Sequence, residues 1–329
     1  MIKKTFVILA LLSLLIVGCN TQGTLPTEEA TQPPTAPPTE APMATEEPAA
    51  APMVFTDDKG RTVELEAYPK AIVTLGASIF EGLFAISAGD QVVGREEYTL
   101  YPEEAAQQVT SIGSLYGELP AEAIVALEPD LVIASEIISD EQVSALEDLG
   151  LTVYWQGNPT DFDGLYANLN ALAALTGHES EAQTLVDSLK TRVAAVEDAI
   201  ANVDEIPTVF YELDATDVTN PYTTGAGTFI DTLITLAGGS NIGAVLEGEY
   251  AQMSSEEVIV QDPEVILLGD APYGITPESI VERPGWDVIS AVVNDKVFPF
   301  DPYLVSVPGP RMVDGLEAMA KLLHPDLFE

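Results

Sequence analysis

The sequence predicts an α/β protein of two similar lobes, joined by one long α-helix and facing each other across a cleft. Three observations predict it. Apolar strand-like runs alternate with helical segments in both halves of the chain, the pattern of parallel sheets covered by helices. A phrase that begins at Glu122, EAIVALEPDLVIAS, returns in outline from Glu256 as EEVIVQDPEVILLG, with Pro129 and Pro263 in matching places. Between the copies, from Glu179 to Val203, Ala182, Leu185, Val186, Leu189, Val193, Val196, Ile200 and Val203 recur at three- and four-residue steps, with no Pro or Gly among them.

In chain order, residues 1–18 carry Lys3 and Lys4 and then the apolar run FVILALLSLLIVG. That is a secretory leader, too short and wrongly flanked for a membrane span. The junction Ile16-Val17-Gly18-Cys19 resembles a bacterial lipobox, which predicts a lipidated Cys19; an ordinary signal peptide with a stray cysteine is the alternative. No second cysteine exists for Cys19 to pair with. Residues 19–52 are Pro, Thr, Glu and Ala with almost nothing to bury, and read as a disordered stalk.

An N-terminal lobe is expected over 53–178. VFTDDKGRTVEL reads as a hairpin, AIVTLG as a buried strand, and FEGLFAISAG as a helix. QVVG, DLVIAS and LTVYW follow as strands, with PAEAIVAL and DEQVSALEDLG as helices, the last ended by Gly150. The segment 179–203 would span roughly 35–40 Å as a helix, enough to cross from one lobe to the other. Packing wholly within one lobe is the alternative. Over 204–329 the alternation resumes: TVFYEL, EVILLG and KVFPF as strands, GTFIDTLITLAGG, SSEEVIVQ and PRMVDGLEAMAKLL as helices. Ligands of α/β sheets sit beyond the carboxyl ends of the strands, so two facing lobes make a ligand cleft.

Composition narrows the function. Lys and Arg number 12 against 53 Asp and Glu, and a net charge of −41 repels nucleic acid and anionic membrane surfaces alike. At 47% hydrophobic residues the chain has material for large cores, so its acidity does not mean disorder. Catalytic patterns are scarce. His178 and His324 are the only imidazoles and read as capping or surface residues, outside any HExxH pattern. GGSNIG misses the GxSxG elbow by one position, and GAG at Gly225 lacks the third glycine of a dinucleotide fingerprint. No enzyme activity, cofactor or metal site is expected. Carboxylates are so many that a secreted hydrolase using a pair of them stays the alternative.

Aromatic residues gather where strands should end: Tyr98, Tyr101, Tyr116, Trp155, Tyr222, Tyr250, Tyr273 and Tyr303. A row of rings across a cleft suits a large, flat, partly apolar ligand. Together with the Val93-Gly94 to Tyr101-Pro102 loop, EAIVALEPDLVIA, NPYTTGAG, LAGGSNI and the late PGPR, they resemble the solute-binding proteins of cobalamin and ferric-siderophore ABC importers. The resemblance covers about residues 55–326. It implies two Rossmann-like lobes, a rigid interlobe helix, little closure on binding and an ABC permease as partner. The leader and lipobox already predict an extracytoplasmic chain held to the cell membrane by its lipid, and with no signal for oligomerisation a monomer is expected.

Carried over by position, Tyr98, Tyr116, Tyr222 and Tyr250 match aromatic places around a corrin, while Asp301 and Tyr303 match a loop lining the pocket from the second lobe. Tyr116 and Tyr250 stand where tryptophan is familiar, and Ser135 or Glu136 replaces another. Arg95 and Arg311 are the basic residues placed near the mouth; Glu96, Glu97, Asp270 and Asp301 make it acidic. That balance disfavours a highly anionic chelate and leaves a corrinoid or a neutral or cationic hydroxamate-type siderophore, with haem behind them. Glu122 and Glu256 resemble the acidic docking points that meet permease arginines, one per lobe. A carboxylate in a first helical turn also favours the helix dipole whatever else it does, and Ser254 with Glu257 has the form of a capping box beside Glu256.

Overall fold

The computed structural model describes residues 51–328. The leader, Cys19 and nearly all of the stalk lie outside the described residues.

A hairpin opens the folded part: β1 (Met53–Thr56) and β2 (Thr62–Leu65) pair antiparallel around a turn. Next come β3 (Ile72–Leu75), α1 (Ala77–Ala85), β4 (Val92–Arg95), α2 (Glu103–Gln108), β5 (Thr110–Ser111), α3 (Ala121–Val125), β6 (Leu131–Ala134), α4 (Asp140–Asp148) and β7 (Val153–Trp155). The five strands after the hairpin form one sheet in the order β5-β4-β3-β6-β7, every neighbour parallel. Parallel neighbours need a crossover between them, which is what the alternating sequence provides.

Two helices follow, α5 (Phe162–Thr176) and α6 (Glu179–Ile200). Gly177 turns the chain between them at φ +79°, a conformation that glycine adopts without a side-chain clash. The second half runs β8 (Thr208–Asp214), β9 (Tyr222–Thr224), α7 (Phe229–Leu236), β10 (Ser240–Asn241), β11 (Tyr250–Gln252), α8 (Ser255–Gln261), β12 (Val265–Leu268), α9 (Pro277–Val281), α10 (Ser290–Val293), β13 (Val297–Pro299) and α11 (Met312–Leu323). Its sheet is ordered β11-β9-β8-β12-β13, with β10 also on β8. Here the lobes differ. β10, β12 and β13 run parallel to β8 as the alternation predicts, whereas β9 runs antiparallel to both of its neighbours, β8 and β11. β9 returns after only a short loop, too little chain for a crossover helix, so it can pair only in the antiparallel sense.

Strands buried on both faces explain the unbroken apolar runs. Ile72, Leu131 and Ile133 enter one cluster while Val73, Leu75, Val132 and Ala134 enter another on the opposite face. In the second sheet Val209, Tyr211, Val265 and Leu267 share the first of those clusters, and Phe210, Ile266 and Leu268 form a third core with Trp286. The shared cluster runs through the helices between the sheets. α6 packs against α5, which packs on α1, and also against α11, which packs on α7. The 22-residue α6 thus joins the lobes, burying Ala182, Val186, Leu189, Val193 and Val196 on one stripe. Arg192 on this helix donates to Asp314 at 2.5 Å and to Glu317 at 2.6 and 2.8 Å on α11. Phe162 meets Phe229 edge-on at 5.3 Å, and Thr232 Oγ1 donates to the Thr160 carbonyl at 3.0 Å, so the halves also touch directly. No helix among the described residues is long and apolar enough to cross a membrane.

Candidate ligand-binding site

The carboxyl ends of both sheets open onto one groove. It consists of three adjoining hollows of about 510, 240 and 500 Å³. Tyr98, Tyr303 and Val307 line both the first and the second; Ile137, Asn158, Ser306 and Pro308 line both the second and the third. The first and third share no residue, so they are the two ends.

On the N-terminal side the loop after β4 is shaped from within. Glu96, buried, accepts from the Tyr98 backbone N–H at 2.7 Å and from Thr99 Oγ1 at 2.8 Å. Arg95 donates from Nε to the Ala106 carbonyl at 2.7 Å and from Nη1 to the Glu96 and Glu97 carbonyls at 2.9 and 3.2 Å. With its backbone so held, the loop presents Tyr98 to the groove at 56% exposure, its ring 5.6 Å from that of Tyr116 at a 65° angle. Tyr116 is 77% exposed and lines the second hollow.

Opposite stands Tyr303, in a 3₁₀ turn over Pro302–Leu304. Burial and then the neighbouring Tyr273 push its hydroxyl above the usual tyrosine range. Asp301 caps that turn, its Oδ1 accepting from the Tyr303 N–H at 2.9 Å. The third hollow holds Glu136, Glu249 and Tyr250. Tyr250 is held above its ordinary pKa by burial first and then by those two glutamates. Gly225, from the GAG run, passes so close to the backbone there that a side chain would meet the Gly248 carbonyl at 2.1 Å.

Arg311, in the first hollow, donates from Nε to Glu81 Oε2 at 2.8 Å and lies 4.0 Å over the Tyr101 ring. Glu81 belongs to α1 and is 2% exposed; burial raises its pKa, and Arg311 works against that rise.

Of the residues singled out from sequence, Tyr98, Tyr116, Glu136, Tyr250, Tyr303 and Arg311 line this groove. Tyr222 and Asp301 line none of the three hollows: Tyr222 is an exposed strand residue opposite Gln252, and Asp301 faces a separate hollow with Phe298 and Leu304. Trp155 packs at the N-terminal sheet edge under Lys59, and Trp286 is fully buried in the third core. The mouth's acidity has in part a different origin from the one expected. Glu96 lines the second hollow as expected, though it is buried and accepts from a backbone N–H. Asp270 is buried, accepts from the Ala215 N–H and lines none of the three hollows; the other carboxylates on the groove are Glu81, Glu103, Glu136 and Glu249. Sequence inspection missed Glu81 and Glu249. A charge in the middle of the apolar FEGLFAISAG run was the available signal for Glu81, since such a group needs a partner.

Glu122 and Glu256 are both exposed in the first turns of α3 and α8, and among the described residues neither carboxylate makes a hydrogen bond or ion pair. Half of the expected capping box is present: Ser254 Oγ accepts from the Glu257 N–H at 3.1 Å, but the Glu257 carboxylate turns instead to Gln261 at 2.7 Å.

The pattern described as "Periplasmic binding protein" matches residues 72–304. The chain belongs to that family. It is 30% identical over 283 residues to an uncharacterised ABC transporter substrate-binding lipoprotein of Bacillus subtilis, covering 84% of this chain and 87% of that one. It is also 30% identical over 284 residues to a cobalamin-binding protein of Halobacterium salinarum, covering 83% and 74%. Among solved structures it superposes on the periplasmic haem-binding protein RhuT from Roseiflexus sp. RS-1 with a TM-score of 0.70 and 26% identity, covering 79% of this chain and 99% of that one. Members of this family bind solutes for transport; this chain is a binding protein and not an enzyme.

Proposed function

We propose that this protein captures a corrinoid outside the cytoplasm and delivers it to the permease of an ABC importer. The observation that carries the reading is the placing of exposed tyrosine rings on both walls of one groove: Tyr98 and Tyr116 from the first lobe, Tyr303 and Tyr250 from the second. Ring faces on two walls suit a broad, flat macrocycle better than a compact polar solute. The hollows together exceed the roughly 300–1,000 Å³ of a drug-sized pocket. The cobalamin-binding relative supports the same choice.

A ferric hydroxamate siderophore is the second candidate, favoured by Glu136 and Glu249 at one end, which suit a neutral or cationic chelate. In this reading Cys19 carries the lipid, residues 19–52 hold the lobes clear of the bilayer, the chain works as a monomer, and Glu122 and Glu256 meet the permease. The lipoprotein relative supports the anchor.

Titration of the full chain in detergent with cyanocobalamin, a ferric hydroxamate and haemin tests the ligand. Stoichiometric, saturable binding of cyanocobalamin is expected, tighter than the other two. Binding of haemin or the hydroxamate alone would replace the corrinoid in this proposal. Changing Cys19→Ser should release the protein from membranes in living cells.

A further inference from the structure

The two ends of the groove differ in polarity. In the first hollow two guanidinium groups line one space. Arg95 uses Nε and Nη1 on backbone carbonyls, and Arg311 uses Nε on Glu81. Among the described residues, Nη2 of Arg95 and both Nη atoms of Arg311 make no hydrogen bond, and Arg95 forms no ion pair. The second carboxylate of that hollow is Glu103, exposed and accepting from Gln107 at 3.2 Å. At the other end the third hollow contains Glu136 and Glu249 and no basic side chain.

We propose that the first hollow is a subsite for an anionic, acceptor-rich appendage of the ligand, a carboxylate or phosphodiester, held by the open donors of Arg95 and Arg311. It fixes which way round an asymmetric macrocycle lies. Planar guanidinium donors match two-oxygen acceptors in geometry and strengthen as the site is closed off from water. The same appendage turned to the far end would meet Glu136 and Glu249 and be repelled. Glu81 is a positioning residue here, since it holds Arg311 against the Tyr101 ring. Glu103 opposes the appendage from the exposed rim.

This rests on the corrinoid reading, and the probes are cyanocobalamin and dicyanocobinamide, the same ring without the nucleotide and its phosphodiester. Calorimetric titration of the full chain in detergent should show cyanocobalamin about tenfold tighter. Arg95→Gln should bring the ratio of the two affinities towards one. Glu103→Gln, at a solvent-exposed side chain with little bearing on folding, should raise the ratio. Equal affinity of the wild-type chain for both probes, or a ratio that neither substitution moves, would overturn the subsite and leave the corrinoid reading standing. Binding of neither probe would overturn both.

Discussion

Glu81 and Arg311 stand 230 positions apart and tie the two lobes at the groove: the carboxylate accepts from the Arg311 backbone N–H at 3.1 Å and from its Nε at 2.8 Å. One partner lies on the first helix of the N-terminal lobe, the other at the start of the last helix of the C-terminal lobe. Both residues line the first hollow, so the two walls of the groove are joined there. Arg192 and its two carboxylates make a second tie from α6. Neither needs a ligand to form.

Breaking the first tie should weaken the fold. Glu81→Ala leaves a largely buried guanidinium without its partner, a change that costs about 3 kcal/mol, the lower end for buried pairs because Arg311 keeps some access to water. Glu81→Gln retains an acceptor for Nε and should lose roughly half as much. Urea unfolding of the full chain measures both. Equal stability of all three proteins would show that the lobes are held by their apolar seam alone.

The tyrosines should act on affinity and not on folding. Tyr98→Ala and Tyr303→Ala each remove a ring from the groove wall and should weaken corrinoid binding by about 1.5–3 kcal/mol, roughly ten- to a hundredfold. Tyr116→Ala, at so exposed a position, should leave thermal stability within about 0.5 kcal/mol. Tyr222→Ala should bind like the wild type, because that ring lines none of the hollows. A loss at Tyr222 equal to that at Tyr98 would move the ligand out of the groove as drawn.

Much of this was legible in the sequence, for identifiable reasons. Runs such as DLVIA and EVILLG are apolar on both faces because helices cover both faces of each sheet, and that needs no knowledge of neighbours. The stripe from Ala182 to Val196 names its own helix in the same way. Other features depend on what meets what in three dimensions. YTT is three residues long, too short to announce a strand by itself, and becomes β9 only by pairing with β8 across a bulged register and with β11, more than twenty residues on. Asp301 reads as a pocket residue from its loop, yet it lines none of the three hollows and caps its own turn, the form an Asp before Pro-Tyr takes. Asp270 looks like a mouth residue from its loop, yet it is drawn inward by the Ala215 N–H and lines none of the hollows.

Asp270 gives a pH dependence. Its Oδ2 accepts from the Ala215 N–H at 3.0 Å, while Oδ1 is buried without a partner. Burial, then the charge of Glu212, pushes this carboxyl from 3.8 up to about 6. Glu212 is itself paired with Arg283 at 2.5 and 2.8 Å, so its charge is fixed in place. Between those two pKa values the folded chain keeps a proton that the unfolded chain has released, so this group's contribution to stability is lost as pH rises. Asp270→Asn keeps an acceptor for Ala215 and does not titrate. The variant should therefore gain on the wild type between about pH 4 and pH 7. Urea midpoints at both pH values test it, and a constant gap would place the titration elsewhere.

Two acids stand outside the groove altogether. Glu122 and Glu256 project from short helices, one in each lobe, and among the described residues nothing pairs with either. If they served only their helix dipoles, each would contribute about 0.3–1 kcal/mol to stability and nothing to transport. If they meet cationic side chains of a permease, reversing both charges turns two attractions into repulsions at a single interface. Glu122→Arg with Glu256→Arg should therefore abolish corrinoid uptake in cells while the purified chain binds its ligand as before. Each single reversal should fall between, because one attraction survives. Raised salt should weaken association of the wild-type chain with permease-containing vesicles, since exposed charges are screened over about 10 Å at 0.1 M. Normal uptake by the double variant would return both glutamates to the helices that carry them.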